Sequence, residues 1–206
     1  MIFIGFESGV ISLSKNLETL NDCIFGEVNK ILYTLGLYDT LQKFGNPQVS
    51  GSYSLKMMTW RDLDIYLESD TISNKEFFDL GKEISLLLSP SKMSYRNELI
   101  GKTPHLPNGL YWGVHTNLFG QRWKIDISAI GPGEVKEKQN EVEKLKDRID
   151  NAKRKSILSL KNQLHSNPKY RKKFFSVDIY DAVINNNIKS LEQFDEWIYI
   201  KKGIEL

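Results

Sequence analysis

The sequence predicts an α+β fold, a small mixed sheet with flanking helices followed by a C-terminal helical region. Three observations predict it. Apolar residues recur at three- and four-residue steps between Leu17 and Leu35, the mark of an amphipathic helix. They alternate with polar residues from Arg61 to Glu68 and across Leu110 to Ile130, the mark of half-buried strands. Beyond Gly131-Pro132-Gly133 only helical spacing remains. The expected division is therefore an α+β domain with an N-terminal helix over 1–131 and a helical region over 132–206.

Leu17, Leu20, Ile24, Val28, Ile31 and Leu35 define the first helix, which Gly36 can end, and Cys23 reads as a small core residue on its apolar side. Leu37, Leu41 and Phe44 predict a short turn or helix before the break at Gly45-Asn46-Pro47. Ser73 can cap a helix carrying Phe77, Leu80, Ile84, Leu87 and Leu88, stopped at Pro90. Ser94 to Ile100 reads as a strand, and 110–118 with 122–130 as a hairpin turned near Phe119-Gly120. Glu134 to Leu164 is one long charged helix or a pair. Two short helices follow, near Val177–Ile184 and Leu191–Ile200, the last with Ser190 and Gln193 as a capping box.

With 206 residues, 40% hydrophobic, and ten Phe, nine Tyr and four Trp, the chain can bury a core without staples. One cysteine excludes an internal disulfide framework and a multi-cysteine metal site. The apolar opening has no preceding basic residue and is interrupted by Glu7, so a signal peptide is not expected. No run is long enough to span a bilayer, and the expected location is the cytoplasm, with no membrane partner. A net charge of +2 provides no global field for a long nucleic acid. The basic surplus between Lys136 and Lys173, ending in Arg171-Lys172-Lys173, reads first as a solvated helix face.

The chemistry concentrates in Gly51 to Ile65. Asp62 and Asp64 are two apart on a strand, so their carboxylates share one side and repel unless a cation lies between them. A hard divalent ion resolves that conflict. Gly51-Ser52 pairs a position without a side chain with a small hydroxyl, a turn that lets phosphate oxygens approach backbone N–H groups. Asp126 interrupts the apolar run Ile125-Asp126-Ile127, where an unpartnered carboxylate is expensive to bury. Trp60, Trp112, Trp123 and Tyr111 are candidates to stack on a base or an acceptor ring, though most such residues are core. His115 lies near the site on its strand; His105 sits in a loop between prolines and His165 on a helical surface.

Gly51-Ser52, a nine-residue spacer, Asp62-Leu63-Asp64 and the later Ile125-Asp126-Ile127 together resemble the polymerase-beta-type nucleotidyltransferase superfamily, over the segment from Val49 to Ile130. The size suits its small bacterial members. The resemblance implies that Asp62, Asp64 and Asp126 bind Mg²⁺ or Mn²⁺ and carry the catalysis, with Gly51, Ser52, Lys56 and Arg61 holding the phosphates of a nucleoside triphosphate. It further implies transfer of a nucleoside monophosphate to a hydroxyl, with release of pyrophosphate. The acceptor is expected to be a small molecule or a protein rather than a long nucleic acid. The alternative is a non-catalytic nucleotide- or partner-binding module on the same fold, such as the antitoxin-like member of a two-protein system. No Gly-x-x-x-x-Gly-Lys-Ser/Thr loop or protein-kinase motif set is present.

Overall fold

Alternating apolar and polar residues build β2 (Asp62–Glu68) and much of β5 (Gln121–Ile130), neighbouring strands inside the sheet. Leu63, Ile65 and Leu67 of β2 and Ile125, Ile127 and Ala129 of β5 are buried on one face, while Asp62, Asp64, Lys124 and Asp126 are half-buried on the other. A computed structural model describes residues 6–104 and 106–206, with side chains from Asn16 onward. Five strands line up in the order β1-β2-β5-β4-β3, with β1 (Asn46–Val49), β3 (Lys92–Asn97) and β4 (Leu110–Leu118) completing the sheet. The β2/β5 pair is parallel, and the other three pairings are antiparallel. The sheet is thus mixed, as expected.

Helix α4 (Asn74–Leu88) covers the apolar face. Its Phe77, Leu80, Ile84 and Leu88 are buried, Trp112 Nε1 donates to Phe77 O at 2.9 Å, and Thr116 Oγ1 donates to Leu88 O at 2.7 Å. The predicted Ser73 cap is a full capping box: Ser73 Oγ accepts from Glu76 N at 3.2 Å, and Glu76 Oε2 accepts from Ser73 N at 2.8 Å. Ile125, fully buried beside Asp126, allows a conservative test of this layer. Ile125→Val is expected to cost about 1 kcal/mol in a denaturant titration, the usual loss for one buried methylene.

The chain divides into two compact units. The sheet unit comprises Ile24–Lys56 and Arg61–Lys144, and the helical unit comprises the residues up to Cys23, Met57–Trp60 and Leu145–Leu206. This division and the expected one at 131/132 share the sheet and the last helices, but assign α6 (Pro132–Lys146) and the residues before Ile24 differently. Within the helical unit α7 (Asn151–Leu164), α8 (Ser176–Asn186) and α9 (Leu191–Lys202) bury Ile157, Leu160, Leu164, Ile179, Phe194 and Ile198. Asp150 ends the long charged stretch as a pair of helices by capping α7, accepting from Lys153 N at 2.8 Å. Ser190 caps α9, but Gln193 Oε1 accepts from Lys189 N, so only half of the expected box forms.

Other expectations need correction. The first helix, α1 (Phe6–Asn29), buries Leu17, Asn21, Ile24 and Val28; Cys23 falls off that stripe and is exposed. Asn46-Pro47, expected as a break, opens β1; the edge position tolerates a residue without an N–H. The expected strand over 94–100 stops at Asn97. Glu98–Gly101 instead form a single helical turn, α5, closed by Glu98 Oε2 accepting from Thr103 N at 2.9 Å. Phe119 and Gly120 both take positive φ, 56° and 72°, the tight hairpin turn expected between β4 and β5. No helix among the described residues is long and apolar enough to cross a membrane.

Candidate active site

The parallel register of β2 and β5 sets Asp64 directly opposite Asp126, and Asp62 opposite Lys124. All four side chains lie on the sheet face that α4 does not cover. Sequence spacing alone joined Asp62 to Asp64; the strand pairing brings Asp126 alongside them. Two carboxylates face one another, which costs stability unless positive charge answers them. Lys124 supplies part of that charge: its ammonium is hydrogen-bonded to Asp126 Oδ2 and lies 3.8 Å from Asp62 Oδ1.

On its other oxygen Asp126 accepts from Tyr111 Oη at 2.9 Å. Tyr111 is opposite Ser128, so it must reach diagonally across Gly113, the residue opposite Asp126. A Cβ at Gly113 would collide with the Tyr111 hydroxyl and come within 2.8 Å of Ser94 Oγ. The missing side chain therefore makes the tyrosine–aspartate bond possible. Burial, the Asp126 charge and this hydrogen bond push the Tyr111 hydroxyl well above the ordinary tyrosine range, so it stays a donor. Tyr66, next along β2, is pushed up to about 12, chiefly by burial and then by the Asp64 charge. Tyr111→Phe keeps the ring and removes the donor. If Asp126 is a metal ligand, Mn²⁺ binding is expected to weaken by about ten-fold in a calorimetric titration, the lower end for losing a partner of such a ligand.

Gly51 joins the turn to the acids. Ser50 N donates to Asp64 O at 2.9 Å, and Gly51, at φ 63°, begins the one-turn helix α3 (Gly51–Ser54). Any Cβ there would collide with Asp64 Oδ2. The Gly-Ser turn and the acid strand are thus in contact, and Ser52 follows in the same turn. The other two expected phosphate contacts are placed differently. Arg61 forms a bidentate pair with Glu27, 2.6 and 2.7 Å, which anchors the start of β2. Lys56 is exposed at φ 52°, with Nζ 5.7 Å from the centre of the Phe25 ring.

Of the aromatic candidates, Trp112 and Trp123 are buried on the apolar face, and Tyr111 serves Asp126. Trp60 belongs to the helical unit, stacked on His165 at 5.0 Å. His115 shares the site face opposite Lys124, and His105 lies outside the described residues. A cavity of about 130 Å³ opens beside the carboxylates, lined by Asp64, Tyr66, Glu98, Leu106, Tyr111 and Asp126 among others. Sequence reasoning missed two of the residues here. Lys124 was legible, two positions before Asp126 on the same strand face. Glu98 was not, since only the fold brings α5 to this cavity. Bonds from the Thr103 backbone and hydroxyl hold the buried Glu98 carboxyl below its usual range.

Asp62, Asp64 and Asp126 offer only carboxylate oxygens, the donors that hard ions such as Mg²⁺ and Mn²⁺ take. Among the described residues, no three His, Cys, Asp or Glu side chains already converge as a formed metal site, and Lys124 lies among the aspartates instead. The donor set and the open backbone at Gly51 nevertheless fit such an ion.

No model of a known protein family matches the chain, and no curated protein does. Solved structures do. A cytoplasmic RNA terminal U-transferase superposes with a TM-score of 0.54 at 12% identity, over 84% of this chain and 52% of its own. The polymerase core of TRAMP, an RNA surveillance complex, gives 0.53 at 12%, over 84% and 55%. The Cid1 poly(U) polymerase with Mg and 3′-dATP bound gives 0.52 at 12%, over 82% and 53%. The chain shares the fold of these solved structures. This chain spans about half the length of those structures, and at such identity the likeness concerns the fold alone.

Proposed function

We propose that the chain is a metal-dependent nucleotidyltransferase that moves a nucleoside monophosphate from a nucleoside triphosphate to an acceptor hydroxyl. The observation that carries this reading is the register that sets Asp126 against Asp64, one side-chain step from Asp62, with the Gly51 turn touching Asp64. Asp62, Asp64 and Asp126 would hold Mg²⁺ or Mn²⁺, which when bound supplies charge neutralisation for the triphosphate and the departing pyrophosphate. The Gly51-Ser52 turn offers backbone N–H groups and one hydroxyl to phosphate oxygens. Asp126, fixed through Oδ1 by Tyr111, orients the attacking hydroxyl and takes its proton as oxygen bonds to the α-phosphorus. The bond to pyrophosphate breaks in the same displacement. Acceptors of choice are a small molecule or a protein side chain, in keeping with the net charge of +2.

A second reading draws on Lys124. An ammonium already paired with Asp126 suits a nucleotide- or partner-binding module that keeps the fold without the chemistry. Incubation with Mg²⁺ and each α-labelled triphosphate, against small polyhydroxyl compounds, proteins and an RNA oligonucleotide, separates the two. Label transfer with pyrophosphate release is expected. Metal-dependent triphosphate binding without any release would favour the module.

A further inference from the structure

The carboxylate cluster has a basic residue built into it, and its position is specific. Lys124 is the residue opposite Asp62 in the β2/β5 register, and two residues before Asp126 on the same strand face. Its ammonium bonds Asp126 Oδ2 and comes within 3.8 Å of Asp62 Oδ1, so it stands between acids from two strands. Tyr111 holds the other oxygen of Asp126, which leaves Oδ2 as the one turned to the ammonium. A divalent ion held by Asp62 and Asp126 would compete with the ammonium for these carboxylates. An ammonium and a doubly charged ion do not share them: like charges repel most strongly at contact distance and in a half-buried site. Lysine is suited to yield, having one point charge on a flexible four-carbon stem, and its side chain retains 29% exposure for a path to solvent.

We propose that Lys124 is a resident cation of the site, exchanged for the metal when metal binds. The inference rests on the metal-binding reading given above and adds a consequence to it. Without metal, Lys124 compensates the facing acids and holds Asp126 in place. Metal loading then carries the cost of breaking this ion pair, so the chain alone binds a divalent ion weakly. The released ammonium is left near the site, where an incoming triphosphate offers it new anionic partners. Metal and nucleotide therefore favour each other's binding more than their own contacts require.

The test is Mn²⁺ binding by the full chain without nucleotide, read from the free-ion electron paramagnetic resonance signal. Lys124→Met keeps the length of the side chain and removes its charge. Arg122→Met removes the same charge from an exposed residue one side-chain step along β5. Exchange predicts Mn²⁺ affinity about ten-fold tighter in Lys124→Met, the equivalent of about 1.4 kcal/mol, and less than about two-fold changed in Arg122→Met. Equal tightening in both variants would reduce the effect to bulk charge and overturn the inference. So would unchanged binding in Lys124→Met with clear binding by the native chain. Binding by neither protein overturns the metal reading and the exchange together. Should Lys124→Met fail to fold, a structure of the native chain with Mn²⁺ decides: Lys124 Nζ away from Asp126 supports exchange, and Nζ still bonded to Asp126 beside the ion contradicts it.

Discussion

Asp64→Asn is expected to lower nucleotidyl transfer by at least about 10³-fold, because a metal clamp on a transferring phosphoryl group is worth several kcal/mol and each 1.36 kcal/mol is a factor of ten. The same change should leave stability intact or raise it. Asp64 faces Asp126 across the parallel pair, and relieving a like-charge contact between strands is worth up to about 1 kcal/mol. Activity thus falls without a loss of stability. That separates a functional carboxylate from an ordinary strand residue, whose replacement would leave transfer untouched. The measurements are pyrophosphate release under saturating Mg²⁺ and a denaturant titration of the same preparations. Loss of activity with parallel loss of stability would point instead to a structural role.

Gly51→Ala carries the second large effect. The residue has φ 63°, where a side chain costs roughly 1–2 kcal/mol, and its added Cβ would collide with Asp64 Oδ2. Either the turn shifts away from the strand or the carboxylate rotates out of its place. Both misplace the acid relative to the phosphates, and a displacement of about 1 Å is worth about 100-fold in rate. The expected result is a folded protein with stability lowered by about 1–2 kcal/mol and transfer lowered about 100-fold. Steady-state kinetics on a variant verified by circular dichroism measure both. An Ala variant with native rates would show that the contact between turn and acid has no part in the chemistry.

How far this was legible in the sequence depends on the range of the interactions. Period-two alternation in β2 and β5 predicted the strands, and with them the shared face of Asp62 and Asp64, because those depend only on neighbours along the chain. Ser73 and the Phe119-Gly120 turn were equally local. The pairing of β2 with β5 was not: it joins segments separated by α4, β3, α5 and β4, and only the resemblance suggested it. Arg61 shows the opposite failure. A basic residue next to Asp62 reads as a phosphate contact, yet Glu27, on a helix far back in the chain, takes its guanidinium. Cys23 was misplaced by less than a helical turn, the distance between a buried stripe and the exposed flank beside it. Glu98 reached the cavity through a turn that its strand-like context did not announce.

Asp62, Asp64 and Asp126 are expected to share a divalent ion with a triphosphate. Anomalous diffraction from crystals grown with Mn²⁺ and a non-hydrolysable nucleoside triphosphate tests this. The expected result is a manganese peak bounded by carboxylate oxygens of all three aspartates, with the triphosphate lying against the Gly51-Ser52 turn. Ordered nucleotide whose manganese lies away from these residues would contradict it.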